Sequence, residues 1–168
     1  NEESKGVNGV GIFIRKSIIE SIDEVIRLND RMIVVTGIFK GIKLAIVSTY
    51  APTNGYDSPV KDAYYDNLEG FVSGIIGYDH AVVIGGDFNA RIGENEEGIF
   101  NHCCGSYTMR GKLNDNGSRM LDLCSHIDLV VADTYVRPSA RFKEGTWFHL
   151  PTKQWFVIDH ILISKKLK

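Results

Sequence analysis

The chain has 168 residues, 43 % of them hydrophobic and 24 % charged, and a formal net charge of −2. That is the size and composition of a single globular domain, 1–168, with one core and neither repeats nor low-complexity segments. No apolar run approaches the length of a membrane span, and no signal-peptide pattern opens the chain.

The cysteines, Cys103, Cys104 and Cys124, are odd in number and two are adjacent. This argues against a disulfide framework and for reduced thiols in an intracellular setting. His102-Cys103-Cys104 lacks the paired spacings of structural zinc and reads as a loop with a small apolar patch. The charge balance gives no broad basic face of the kind that grips a nucleic-acid backbone. Arg91, Arg110, Lys112, Arg119, Arg137 and Arg141 are the cations available for a local basic rim; scattered solvated charges are the plainer alternative.

In chain order, Val10 to Ile14 alternates glycine with apolar residues and reads as a strand. Met32 to Phe39 and Ile42 to Tyr50 are rich in β-branched residues and flank Lys40-Gly41, a two-residue hairpin signal. In the second strand Leu44, Ile46 and Ser48 alternate with Ala45, Val47 and Thr49, which predicts that both faces are covered. Ser58-Pro59 then opens a helix, with serine as N-cap and proline at the first helical position. Val60, Tyr64, Leu68, Phe71 and Ile75 give that helix one buried stripe.

Ala81 to Gly86 is a short buried strand, followed by a polar loop to about Lys112. A second helix is expected from Gly117 to His126, with Met120, Leu121 and Cys124 inward. Leu129 to Ala132 is another buried strand. Gly145 to Phe148 and Val157 to Ile163 are expected to pair with each other. Helices interspersed among strands make the fold class α/β and layered.

The chemistry concentrates at strand ends. Gly85-Gly86-Asp87-Phe88-Asn89 ends a buried strand in a carboxylate and an amide on the same side of an extended backbone. A carboxylate can accept a proton or bind a cation, and an amide can donate to an oxyanion, a pair suited to phosphate-ester hydrolysis. Taken alone, the segment is also an ordinary polar turn after a strand. Two further polar strand ends are Ser48-Thr49-Tyr50-Ala51-Pro52-Thr53-Asn54 and Ile158-Asp159-His160-Ile161-Leu162-Ile163-Ser164. Alone, Tyr50 is a half-buried aromatic and Asp159 a salt-bridge or turn residue.

Together and in this order, the three segments resemble the endonuclease/exonuclease/phosphatase superfamily, which includes deoxyribonuclease I and the apurinic/apyrimidinic endonucleases. Three features narrow the likeness: Tyr50-Ala51-Pro52-Thr53-Asn54, Leu113-Asn114-Asp115-Asn116-Gly117 followed by Leu121-Asp122-Leu123-Cys124, and Thr146-Trp147. With them the chain is similar to the endonuclease domains of non-LTR retrotransposons and to the craniofacial development protein 2 group. The resemblance covers nearly the whole chain. It implies a deoxyribonuclease I-like layered β-sandwich flanked by helices.

The likeness also implies roles. Tyr50 would set its phenol against the scissile phosphate, and Asp87 would activate or orient the attacking water. Asn89 would hold Asp87 and donate to a phosphate oxygen. Asp159 would fix the tautomer of a catalytic histidine. Asn54 and Thr146 would serve substrate binding, and Asp87 with Asn89 would be a weak metal site for magnesium or manganese. His160, adjacent to Asp159 on a strand, should face the other way and be structural. His80, His126 and His149 match no motif.

In such families a strand with an asparagine and a strand ending in a metal-binding glutamate precede the segment matched here by Gly9-Val10-Gly11. A closing Ser-Asp-His follows the segment matched by Asp159. Glu2 and Glu3 stand too close to the Gly9 strand to replace that glutamate. The 168 residues are therefore expected to be a domain incomplete at both termini. The expected function is magnesium-dependent hydrolysis of DNA phosphodiesters by a longer parent protein, with this segment weak or inactive. The alternatives are a phosphoinositide or small-phosphoester phosphatase, and a non-catalytic binding or developmental scaffold. DNA is the expected partner, with no membrane and no protein partner inferable, in an intracellular location compatible with the nucleus.

Overall fold

The computed structural model describes residues 9–94, 98–109, 111–138 and 145–168. Glu2, Glu3, Arg110 and Arg141 lie outside them. Strands β2 (Met32–Phe39) and β3 (Ile42–Tyr50) form the expected hairpin. Lys40 and Gly41 both take positive φ, 51° and 82°, as a two-residue turn matched to strand twist requires.

An edge strand, β1 (Ile22–Asn29), pairs antiparallel with β2. Only its Ile22 and Ile26 are partly buried, and charged residues fill positions between them. Such a strand carries almost no apolar alternation, so the sequence does not announce it. The strand expected over 10–14 does not form: residues 9–15 lack regular structure, and a 3-10 helix follows at Lys16–Ser21. Its glycines supply no side chains to pack against a neighbouring strand, and Phe13 is fully exposed.

Helix α1 (Ser58–Gly77) begins one residue earlier than expected, because Asp57 is the N-cap and Ser58 already lies in the helix. Tyr64, Leu68 and Ile75 are buried as expected, joined by Val72, whereas Val60 is exposed. As the crossover between β3 and β4 (Ala81–Asp87), α1 permits their parallel pairing. Helix α2 (Asp115–His126) starts two residues early, capped by Asn114, whose Oδ1 accepts the Gly117 N–H at 2.7 Å. Met120, Leu121 and Cys124 point inward as expected.

Strand β5 (Leu129–Val131) gives way to a 3-10 helix at Ala132–Tyr135. The expected partnership of 145–148 with 157–163 is corrected. β6 (Trp147–His149) and β7 (Gln154–Phe156) form a separate two-stranded ribbon. β8 (Asp159–Ser164) instead enters the main sheet between β4 and β5. It buries His160, Leu162 and Ser164 in alternation, and this buried side is satisfied by the core rather than by a ribbon.

The six-stranded sheet runs β1-β2-β3-β4-β8-β5. Both helices pack on one face, where Val34, Val47, Ile84, Leu162 and Val131 lie in register and meet Leu68, Val72, Met120 and Leu121 in one core. The expected burial of both faces is met on this side only. Leu44, Ile46 and Ser48 on the other face are half-buried, and Ile161 is 49 % exposed. The architecture is a mixed α/β domain with a multi-stranded sheet flanked by helices. The cysteines are free and buried.

Candidate active site

Three strand registers create the site. Tyr50 on β3 partners Asp87 on β4, and Asp87 partners Asp159 on β8. Residues in register share a face, so the three side chains form one row on the face away from the helices. With strands about 4.8 Å apart the row spans about 10 Å. Two carboxylates thus stand directly opposite each other, an arrangement that costs stability between like charges. Among the described residues neither has a salt-bridge cation.

Gly86, just before Asp87, has a steric reason. A Cβ on Gly86 would lie 1.9 Å from the Thr49 carbonyl oxygen, so only glycine lets β4 approach β3 so closely. Beyond Asp87, the Phe88 side chain is fully buried and pins the turn to the core; its truncation to alanine would cost about 3–5 kcal/mol. The backbone is tied on both sides, with Ala51 N–H donating to the Asp87 carbonyl at 2.8 Å and Phe88 N–H to the Ile158 carbonyl at 3.0 Å.

Asn89 takes φ +47°, a left-handed conformation that asparagine tolerates. Its backbone N–H, not its side chain, donates to Asp87 Oδ1 at 2.8 Å. The side-chain Nδ2 donates to the Ala51 carbonyl at 3.0 Å. The Asn89 carbonyl accepts from Asn114 Nδ2 at 2.9 Å, and Asn116 Nδ2 donates to Pro52 O at 2.8 Å. Asn114 Oδ1 also accepts the Arg91 N–H at 2.8 Å. The Asn-Asp-Asn-Gly phrase therefore fastens the Asp87–Asn89 turn to the start of α2. Burial pushes the Asp87 carboxyl above the ordinary carboxylate range, and the Asp159 charge adds to this. The Asn89 N–H and the charge of His160 oppose it.

Thr146 Oγ1 accepts the N–H groups of Ile158 and Asp159 at 3.1 and 3.3 Å. It thereby holds the start of β8 where Asp159 emerges. Thr146 and Asp159 also line a cleft of about 830 Å³ with Arg91, Lys112, Tyr107 and Phe156. Arg91 lies 4.7 Å over the Phe156 ring. The cleft meets the row at its Asp159 end; Tyr50 and Asp87 are not among its walls. Asn54 lies in an exposed turn that follows β3. His160 faces the helices, as strand alternation predicts, and is 4 % exposed.

Sequence reasoning missed Arg31. It lies in the β1–β2 turn, and its guanidinium sits 5.1 Å over the Tyr50 ring and 5.8 Å over the Tyr56 ring. Its Nη1 donates to the Tyr50 carbonyl at 3.1 Å. No local signal marks such a residue, because hairpin turns routinely carry charge. Of the expected basic rim, Arg91 and Lys112 line the cleft, Arg119 is committed to Asp62 and Asp115, and Arg137 is exposed.

Among the described residues no group of three or more His, Cys, Asp or Glu side chains is placed to hold a metal. The facing pair, Asp87 and Asp159, nonetheless fits magnesium in one respect. That ion commonly takes one or two carboxylates and fills its octahedron with phosphate oxygens and water. In the expected pair of Asp87 with Asn89, the Asn89 Nδ2 is engaged by the Ala51 carbonyl, and Oδ1 is the atom that could face a cation.

The described residues include no helix long and apolar enough to cross a membrane. The chain is 29 % identical over 167 residues to craniofacial development protein 2 of Bos taurus, covering 98 % of the chain and 27 % of that protein. It spans about a quarter of that curated relative. Among solved structures it is similar to the 3′ phosphatase NExo from Neisseria bound to product DNA hairpin, with TM-score 0.58 and 20 % identity. That match covers 86 % of this chain and 59 % of the other. It is also similar to the endonuclease domain of TRAS1, a telomere-specific non-LTR retrotransposon, with TM-score 0.54 and 13 % identity. This covers 86 % and 57 % of the two chains. At these identities the structural likeness establishes the deoxyribonuclease I-like fold. The model of the Endonuclease/Exonuclease/phosphatase family matches residues 1–168, and the chain belongs to that family.

Proposed function

We propose that this domain hydrolyses phosphodiester bonds in DNA with the help of a divalent cation, magnesium or manganese, as part of a longer protein. The observation that carries the reading is the row Tyr50–Asp87–Asp159 on three adjacent strands. Two facing carboxylates are costly in a structure and useful at a phosphate, where a cation relieves their repulsion. Asp87, half-buried in the middle of the row, is the group to orient or activate the attacking water. Tyr50 is the donor to a non-bridging oxygen, and Asn89 sets the Asp87 carboxylate through its backbone N–H. Thr146 acts on Asp159 through the strand backbone. Asp87 and Asp159 would hold the cation, which supplies charge neutralisation at the phosphate.

DNA is favoured over phosphoinositides by the names of the structural neighbours, one bound to a DNA hairpin and one from a retrotransposon. His160, the histidine next to Asp159, points into the core, so the row itself holds no histidine. The 168 residues alone are therefore expected to cleave weakly, and the longer protein more strongly. A plasmid-nicking assay with magnesium tests this, comparing the 168-residue chain with the full-length protein and running phosphoinositide and small-phosphoester turnover in parallel. DNA nicking by the full-length protein that chelation abolishes is the expected result. Turnover confined to phosphoesters would replace the substrate assignment, and no turnover of any would leave a scaffold.

A further inference from the structure

His160 follows Asp159 on β8 and turns to the opposite face, where it is wired on both sides. Its Nδ1 lies 2.9 Å from Asp133 Oδ2, and its Nε2 lies 3.0 Å from the Ala90 carbonyl oxygen. A carbonyl can only accept, so Nε2 is the donor to Ala90. The other oxygen of Asp133 accepts the Ile161 N–H at 2.9 Å. One imidazole therefore joins three segments: the start of β8, the 3-10 helix after β5, and the turn that carries Asp87 and Asn89.

We propose that His160 is a positioning residue, which sets the spacing between Asp159 and the Asp87–Asn89 turn through its bond to the Ala90 carbonyl. This rests on the hydrolytic reading above and deepens it. The ring is 4 % exposed and sits on the helix side of the sheet. It is tied to the site through backbone: directly into Asp159 along β8, and through Ala90 into Asn89. A histidine that merely fills the core would make no distinction between its two bonds. A positioning histidine depends on one of them.

Two substitutions separate the bonds. His160→Gln can place its amide nitrogen where Nε2 stands and keep the Ala90 bond. His160→Asn places an amide nitrogen near Nδ1 and keeps only the Asp133 bond. In the full-length protein, nicking by the Gln variant is expected to stay within about 3-fold of the parent kcat. The Asn variant is expected to lose about 10–100-fold, the range seen when a group behind a site ligand is removed. KM should change little in either.

Asp133→Asn keeps His160 and its Ala90 bond and should retain kcat like the Gln variant. Equal losses in the Gln and Asn variants, tracking the folded fraction, would overturn the proposal, as would a 100-fold loss in Asp133→Asn. If the parent protein cuts no DNA, the hydrolytic reading falls while this one is still readable by amide exchange at Phe88 and Asn89. Faster exchange in the Asn than in the Gln variant supports it, and equal exchange refutes it.

Discussion

Asp87 and Asp159 face each other across antiparallel strands at one register position, and that opposition has a measurable signature. Burial and the neighbouring charge hold the Asp87 carboxyl above its ordinary range. The folded state therefore binds that proton more tightly than the unfolded state does. Stability from this group is full below the unfolded pKa and is lost as pH rises through the higher folded value. At pH 7 the charge is a penalty. Asp87→Asn should stabilise the chain at pH 7 by about 0.2–1 kcal/mol, and the gain should close below about pH 4. The Asn89 N–H still finds an acceptor in the asparagine oxygen. Nicking by the full-length variant should fall by about 10²–10⁴-fold. Urea melts at both pH values, read beside the nicking rate, check it; a loss of stability at pH 7 would count against frustration at this pair.

Tyr50 offers the opposite separation. Its ring packs under Arg31 and its carbonyl accepts from Arg31, contacts that phenylalanine keeps. Tyr50→Phe should leave stability within about 0.5 kcal/mol. If the hydroxyl donates to the phosphate, kcat should drop by about 10²–10³-fold, as for one lost donor to a developing charge. Unchanged kcat would remove Tyr50 from the chemistry.

Thr146 is exposed, yet its Oγ1 receives two backbone N–H groups at the start of β8. Thr146→Val keeps the shape and removes the acceptor, at a cost of about 1–2 kcal/mol. Thr146→Ser keeps it and should restore both stability and kcat. Thermal melts and nicking rates of the pair decide whether the hydroxyl orients Asp159; a serine variant as impaired as valine would deny it.

What could be read in the sequence was what depends on near neighbours. The β2–β3 hairpin declares itself in Lys40-Gly41, α1 in its stripe of Tyr64, Leu68 and Ile75, and the outward turn of Asp159 against His160 in simple alternation. β1 stayed hidden because an edge strand studded with Asp23, Glu24 and Arg27 has no apolar period to detect. The pairing of β6 with β7 rather than β8 is a choice among distant partners, and residue types do not encode it. The site divides in the same way. Asp87 and Asn89 stand out because a carboxylate and an amide end a buried strand, whereas Arg31 reaches Tyr50 from 19 residues away. Asn114 and Asn116 were visible as a phrase, but their bonds to Asn89 and Pro52 exist only in the fold.

The same fastening gives a test in which local propensity and tertiary structure disagree in sign. Gly117 lies in the first turn of α2, where alanine would be the better helix former by about 1 kcal/mol. Its backbone φ is not in the left-handed region, so nothing local forbids a side chain. A Cβ there, however, would stand 2.2 Å from the Arg91 carbonyl oxygen. That carbonyl accepts the Asn114 N–H at 3.1 Å, and Asn114 in turn holds Asn89. Backbone on both sides of the contact leaves no flexible side chain to yield. Gly117→Ala should therefore destabilise by about 1–3 kcal/mol, lowering Tm by about 2–4 °C per kcal/mol in a chain of this size. Because relief of the clash must push Arg91 and the Asn89 turn away from α2, kcat should fall with KM little changed. A thermal melt is enough to decide the first point: a rise in Tm would mean that helix propensity governs this turn, and that the packing of α2 against the Asp87–Arg91 segment is looser than its hydrogen bonds imply.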